Sequence, residues 1–272
     1  MKAASMTQKG LPHMTLTNAN YYSTKANLEY MSVSQYKDFM SCEAKAMAKL
    51  RGEWVEPPST ALLVGSYIDS YFEGTLKDFR LDNPEIFKKN GELKSDFIAA
   101  EWLIKRIERD SMFVEYMSGL KQVIKTGSLF GAKWKIKIDS YFPGQKIVDL
   151  KIMRSMDRIM GKSFIEHWGY DLQMAVYAAI EGYGLETYLA VATKEAPPNI
   201  EIIEIPKWRR EEVLRDIERH MPRILMVKSG REEPERCGVC DYCRETKVLR
   251  APIDFELVGL SNAEQKAIFG TL

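Results

Sequence analysis

The sequence predicts an α/β protein, a mixed β-sheet flanked by α-helices, on three observations. Apolar residues recur at helical spacing through most of the first half. Polar and apolar residues then alternate in "KWKIKIDSYF", and the apolar run "QKIVDLKIM" follows Pro143-Gly144, which reads as a hairpin. After it, a helical stretch precedes two strand-like runs, "TYLAVAT" and "NIEIIEIP", and a long charged segment of helical period. The order is helices, mixed sheet, helices.

Each element has its own signal. Residues 1 to about 30 lack sustained periodicity and are expected to be irregular. In "SVSQYKDFMSCEAKAMAKLRG", Ser32 and Gln35 fit a capping box and Gly52 fits a helix stop, which predicts one helix containing Cys42. "TALLVGSYIDSYFEG" predicts a second helix, and "SDFIAAEWLIKRIERDSMFVEYMSGL" a longer one or a broken pair. Beyond the hairpin, "GYDLQMAVYAAIEGYG" is an amphipathic helix, and "KEAPP" separates the two later strands. "PKWRREEVLRDIERHMPRILMVKSG" is a further helix, and "CGVCDYCRETK" a loop rich in glycine and cysteine.

A chain of 272 residues with this apolar content supports one well-cored unit. Its net charge of +1 excludes a strongly basic coat, so a nucleic-acid contact would need a local cluster. The candidates are Lys133, Lys135, Lys137, Arg209 and Arg210. No run of about 18 apolar residues spans a bilayer and the first residues lack an apolar h-region, so a soluble cytoplasmic protein without a membrane partner is expected. Four cysteines are too few for a disulfide scaffold; three of them crowd into "CGVCDYC", which points to metal. His13, His167 and His220 do not cluster, and "GSLFGAKW" lacks the context of a phosphate-cradling loop.

The unusual stretch is "KIVDLKIMRS", where Asp149 and Lys151 interrupt the apolar run of a buried strand. Side chains at i and i+2 share a face, so these two point one way while Val148, Leu150 and Ile152 point the other. On the preceding strand Trp134, Ile136 and Ile138 share a face, with Asp139 on the opposite one. If the hairpin loop is Pro143 to Gln145, Asp139 falls opposite Asp149 with Cβ atoms roughly 5 Å apart; a two-residue Pro-Gly loop puts the two on opposite faces unless a bulge intervenes. Paired carboxylates need a counter-ion, and a divalent cation with oxygen ligands supplies one. Lys151 beside them can orient a metal-held water, a set suited to phosphodiester hydrolysis.

These residues resemble the PD-(D/E)XK nuclease superfamily, in particular its RecB- and RecE-like exonucleases of phage and bacteria. Asp139 is followed by Asp149-Leu150-Lys151, and then by a helix carrying Gln173-Met174-Ala175-Val176-Tyr177, the order and spacing of that branch. The resemblance implies a restriction-endonuclease-like core over roughly residues 30 to 245 and a Mg2+- or Mn2+-dependent exonuclease acting on the ends of linear double-stranded DNA in recombination. Asp139, Asp149 and the Leu150 carbonyl would bind the metal, Lys151 would position the water, and Gln173 and Tyr177 would orient the site or the DNA. In "GSYIDSYFEG", Asp69 stands where the family's histidine falls and takes a metal-proximal role, with Glu73 one turn later as the alternative. A single-strand annealing protein is the implied partner, and the oligomeric state stays open. The rival readings are a non-catalytic DNA-binding scaffold and an endonuclease or junction resolvase.

Cys237, Cys240 and Cys243 form a C-x2-C-x2-C run with no fourth ligand nearby, and Cys42 is the remaining cysteine. The pattern resembles the AddB-type iron-sulfur nucleases, in which one N-terminal and three C-terminal cysteines hold a [4Fe-4S] cluster; zinc at the same four thiolates is the alternative. In both cases a clasp joins distant parts of one domain, residues 31–272.

Overall fold

The computed structural model describes residues 14–182, 184–249 and 252–269. His13 and the rest of the first stretch lie outside them. The segment expected to be irregular contains a short helix, α1 (Thr24–Glu29), capped by the Ser23 hydroxyl, which accepts from the Ala26 N–H. Two lysines, Lys135 buried and Lys228 half-buried, hold this segment to the core. Lys135 Nζ donates to the Tyr21 carbonyl and, at 2.7 Å, to Asn27 Oδ1. Lys228 Nζ donates to the carbonyls of Asn27 and Tyr30 at 2.9 and 3.0 Å.

The helix predicted around Cys42 is two helices, α2 (Val33–Ser41) and α3 (Glu43–Arg51), with Cys42 in extended backbone between them. Ser32 caps α2 by accepting from the Gln35 N–H at 3.3 Å. The reciprocal half of the box is absent, because the Gln35 side chain is engaged by the Asn27 carbonyl and Lys228. Gly52 ends α3 at φ 75°, a left-handed conformation that favours glycine. Then come α4 (Thr60–Glu73), α5 (Leu76–Asp82), α6 (Ser95–Glu108) and α7 (Ser111–Tyr116). The last two are the broken pair: Asp110 caps α7 through the Phe113 N–H at 2.9 Å, which stops α6 from running on.

Strand β1 (Val123–Leu129) pairs antiparallel with β2 (Ala132–Ile138) across a turn in which Phe130 and Gly131 both have positive φ. No strand signal stands out in "VIKTGSL", whose Thr-Gly-Ser centre hides the alternation. β2 is followed after Asp139 by β3 (Ser140–Phe142), antiparallel to β4 (Lys146–Met153). The chain continues through α8 (Phe164–Trp168) and α9 (Tyr170–Glu181) to β5 (Glu186–Thr193), which lies parallel to β4. Such a pairing requires a crossover, and α9 supplies it. Strand β6 (Ile200–Glu204), helix α10 (Lys207–Lys228) and two short helices, α11 (Asp241–Glu245) and α12 (Asn262–Phe269), complete the chain. The four-stranded sheet has the order β3-β4-β5-β6.

Alternation along β4 and β5 sends side chains into two cores. Ile147, Leu189 and Val191 pack with Trp134, Met174 and Val176 under α9 and α10. Val148, Leu150, Ala190 and Ala192 pack with Ile68, Phe97, Leu103 and Ile107 under α4 and α6. Helices thus cover both faces of a mixed sheet, as predicted. Asp149 and Lys151 project toward α9, in register with Ile147. Among the described residues, no helix is long and apolar enough to cross a membrane.

Candidate active site

The hairpin register decides how the two aspartates meet. Phe142 pairs with Lys146 and Ser140 with Val148, so the loop is Pro143 to Gln145. The ladder stops one residue short of Asp139. There the Asp139 carboxylate replaces a backbone partner, and its Oδ2 accepts from the Leu150 N–H at 3.1 Å. Since the N–H and C=O of one strand residue face the same edge, the Leu150 carbonyl also looks toward this gap.

Asp149, 2% exposed, is the most enclosed of the carboxylates. Gln173 on α9 donates from Nε2 to its Oδ1 at 2.6 Å, and the Lys151 ammonium contacts its Oδ2, which has no hydrogen bond of its own. Tyr177, one turn beyond Gln173, lines the same cleft, as do Asp69 from α4, Asp139 and Leu150. The cleft encloses about 690 Å³. Asp69, Asp139, Asp149, Leu150, Lys151, Gln173 and Tyr177 thus converge there.

Asp69 and Glu73 differ in reach. Both line a smaller recess with Lys121 and Gln122, but Asp69 also lines the main cleft and Glu73 does not. Gln122 Nε2 donates to Glu73 Oε1 at 2.5 Å and approaches Asp139 Oδ1 at 3.4 Å. Its backbone φ of 51° holds it in this bridging place. No sequence pattern marks Gln122. Nor does one mark Lys37 on α2, which lines the cleft, donates to the Trp168 carbonyl at 2.6 Å and stands 5.5 Å over the Tyr170 ring. Lys151 stands over the same ring at 5.0 Å.

The electrostatics follow from crowding. Burial, and then the charge of Asp149, hold Asp139 well above the usual carboxylate range. Burial pushes Asp69 up to about 7, with Asp149 and Glu73 adding to the effect and Lys151 opposing it. Burial works against the Lys151 ammonium, but Asp149 and Asp139 outweigh it and raise its pKa above the ordinary lysine value. Lys37 is lowered to about 8 by burial and by Lys151. An excess of enclosed carboxylate oxygens, one of them satisfied only by an ammonium, fits a hard divalent cation in its donor chemistry.

The proposed basic track does not form. Lys133 pairs with Glu29 at 3.3 Å, and Lys135 is turned inward to the Tyr21–Asn27 segment. Arg209 is bound by Asp171, Glu166 and Glu212, and the buried Arg210 donates to the Leu185 carbonyl at 2.6 Å. Lys137 alone of the five reaches the cleft with its side chain partly exposed. His167 packs edge-on to Trp168, His220 contacts the Asp216 carbonyl at 2.7 Å, and neither lines the cleft.

The four cysteines do meet, although Cys42 is 201 positions from Cys243. All four Sγ atoms lie within 4.8 Å of one another, with Cys42–Cys243 at 3.6 Å and Cys237–Cys243 at 3.9 Å. Among the described residues they are the one group of three or more Cys, His, Asp or Glu donors so close. The Cys240 and Cys243 N–H groups donate to the sulfurs of Cys237 and Cys240, each at 3.4 Å. Hydrogen bonding lowers the Cys237 thiol to about 7 against the opposing effect of burial. Four thiolates held this way fit a metal. Trp54, edge-on to Tyr242 at 5.5 Å, and Lys45, bound to Asp241 at 2.7 Å, fasten the loop to α3.

Comparison with known proteins agrees with this architecture. A family described as a PDDEXK-like domain of unknown function (DUF3799) matches residues 32–246. A crystal structure from Eubacterium rectale, of a chain named "Putative exonuclease", is 53% identical, with a TM-score of 0.87 over 91% of this chain and 99% of that one. A second structure, of SSO0001, covers 85% of this chain and 98% of that one at 15% identity with a TM-score of 0.32. No curated protein matches. With a family match over most of its length and a superposition at 53% identity, the chain belongs to the PDDEXK-like DUF3799 family, within the PD-(D/E)XK nuclease superfamily.

Proposed function

We propose that this chain is a divalent-metal-dependent deoxyribonuclease, specifically an exonuclease that shortens linear duplex DNA from its ends. One observation carries the reading: Asp139 and Asp149 meet at the end of a strand ladder, beside Lys151 and Gln173, in an open cleft. The end preference is supported by the name of the E. rectale relative and by the RecE-like order of the motif.

Asp139, Asp149 and the Leu150 carbonyl would hold the cation, with Asp69 at the rim. A bound Mg2+ or Mn2+ supplies an acidified water and neutralises charge on the phosphate. Gln173 fixes the rotamer of Asp149. Lys151, kept protonated by the aspartates, orients the attacking water and meets the growing negative charge as a donor rather than as a base. Tyr177, its ring packed in the core and its edge on the cleft, supports the α9 side of the site.

The cysteine clasp belongs to the same reading. Around a tetrahedral ion with sulfur at about 2.3 Å, neighbouring sulfurs lie about 3.8 Å apart. The spacings of 3.6 and 3.9 Å support a single ion, zinc first. A [4Fe-4S] cubane places each thiolate on its own iron and needs a wider frame. The ion would close residues 31–272 into one domain. By the RecE-like resemblance, a single-strand annealing protein would be the partner in phage or bacterial recombination, in the cytoplasm.

The test is release of nucleotides from end-labelled linear duplex DNA with Mg2+ or Mn2+, using wild type, Asp149→Ala and Lys151→Ala, and a closed circle as control. Release by wild type alone, with the circle intact, is expected. Cleavage of the circle would make the protein an endonuclease, and a folded, metal-loaded wild type that cleaves neither would be a binding protein.

A further inference from the structure

The cleft has an aromatic rim that the hydrolytic residues leave unused. Tyr22 is 70% exposed and lines both the main cleft and the neighbouring acidic recess, so its ring stands where the two join. Single exposed aromatics need no explanation in themselves. Here, however, the backbone beneath the ring is held from three directions. Lys135 binds the Tyr21 carbonyl, Asn27 Nδ2 donates to the Tyr22 carbonyl at 3.2 Å, and Asn27 is itself held by Lys135 and Lys228. Tyr21 packs edge-on beneath at 4.9 Å and is buried. The ring is therefore presented on a rigid base.

Lys137 completes the arrangement. It lies two residues before Asp139 and lines the same cleft, and its ammonium stands 5.0 Å over the Tyr22 ring. An aromatic face beside a cation at a polar cleft matches a nucleotide with its base exposed: the ring receives the base and the ammonium attracts the phosphate. A paired base inside a duplex cannot offer its face.

We propose that Tyr22 is a stacking platform for an unpaired nucleobase of the strand entering the cleft, with Lys137 drawing in the adjoining phosphate. The inference rests on the nuclease reading and deepens it, since the substrate would be a frayed or overhanging DNA end.

The experiment uses a duplex with a short single-stranded overhang carrying 2-aminopurine at its end, with Ca2+ in place of Mg2+ so that binding is read without hydrolysis. Wild type and Tyr22→Phe are expected to quench the fluorophore, whereas Tyr22→Ala and Tyr22→Leu do not and bind the overhang about ten-fold more weakly. Because the side chain is exposed, all variants should unfold at the wild-type temperature. With Mg2+, Tyr22→Ala should raise KM for the overhang and leave kcat unchanged. Quenching and affinity unchanged in Tyr22→Ala would overturn the proposal. If wild type instead fails to hydrolyse any DNA with Mg2+ or Mn2+, the nuclease reading falls, while the Ca2+ measurement still decides the role of Tyr22.

Discussion

At the scale of single residues, the site crowds carboxylates that repel one another, Asp149 raising both Asp139 and Asp69. Asp69, pushed to about 7, is largely protonated in the metal-free protein at pH 6 and must lose that proton to help hold a metal. The half-saturating Mn2+ concentration should therefore fall as pH rises through 7, and Asp69→Asn should flatten that dependence; calorimetric titration at several pH values checks it. Gln173 acts on Asp149 through one hydrogen bond, so Gln173→Ala should lower activity or metal affinity by about 10- to 100-fold with the fold intact. Asp139→Asn keeps an acceptor for the Leu150 N–H and removes a charge beside Asp149. Thermal unfolding without metal should show it more stable than wild type by about 1 kcal/mol, while hydrolysis is lost.

At the scale of elements, two interruptions matter more than the regular stretches. The bend at Asp139 lets one strand pair first with β1 and then with β4, and leaves the edge of Leu150 open to the cleft. The break at Cys42 ends α2 and starts α3 with its own N-cap, turning a thiol out of the helix toward Cys243. A serine at that N-cap suits the backbone as well as cysteine does. Cys42→Ser should thus preserve both helices yet lose the bound metal, with a lower unfolding temperature. Metal analysis together with thermal circular dichroism separates those effects; a variant that keeps its full metal content would remove Cys42 from the clasp.

At the scale of the whole molecule, Lys135 and Lys228 tie the first described segment to the sheet and to α10. Burial, joined by the charge of Lys135, lowers Lys228 to about 8, and burial alone does the same to Lys135. In the unfolded chain both titrate near 10.4. Between these values the unfolded state binds more protons, so this pair makes stability rise with pH from about 8 to 10. Lys228→Met should lose part of that rise, and urea midpoints measured across the interval report the slope. The cost of the variant at pH 7 is set by the Tyr30 carbonyl and Gln35 Oε1, which lose their donor, while the Asn27 carbonyl keeps Gln35 Nε2.

Much of this protein was legible because its information is local. The i, i+2 spacing put Asp149 and Lys151 on one strand face, the i, i+4 spacing put Gln173 and Tyr177 on one helix face, and the crowded cysteines announced a shared four-sulfur site. Those inferences need only the period of a strand or helix and the chemistry of a side chain. Tertiary structure decided the rest. It selected the three-residue loop between two sterically allowed registers, broke a helix that local periodicity favoured, and turned Lys135, Arg209 and Arg210 from a surface track into internal anchors. It also brought Lys37 and Tyr22 to the main cleft and Gln122 to the recess behind it, places no local pattern assigns them. Each of these outcomes depends on which distant residue supplies the partner, and that is set by packing across the chain rather than by sequence neighbours.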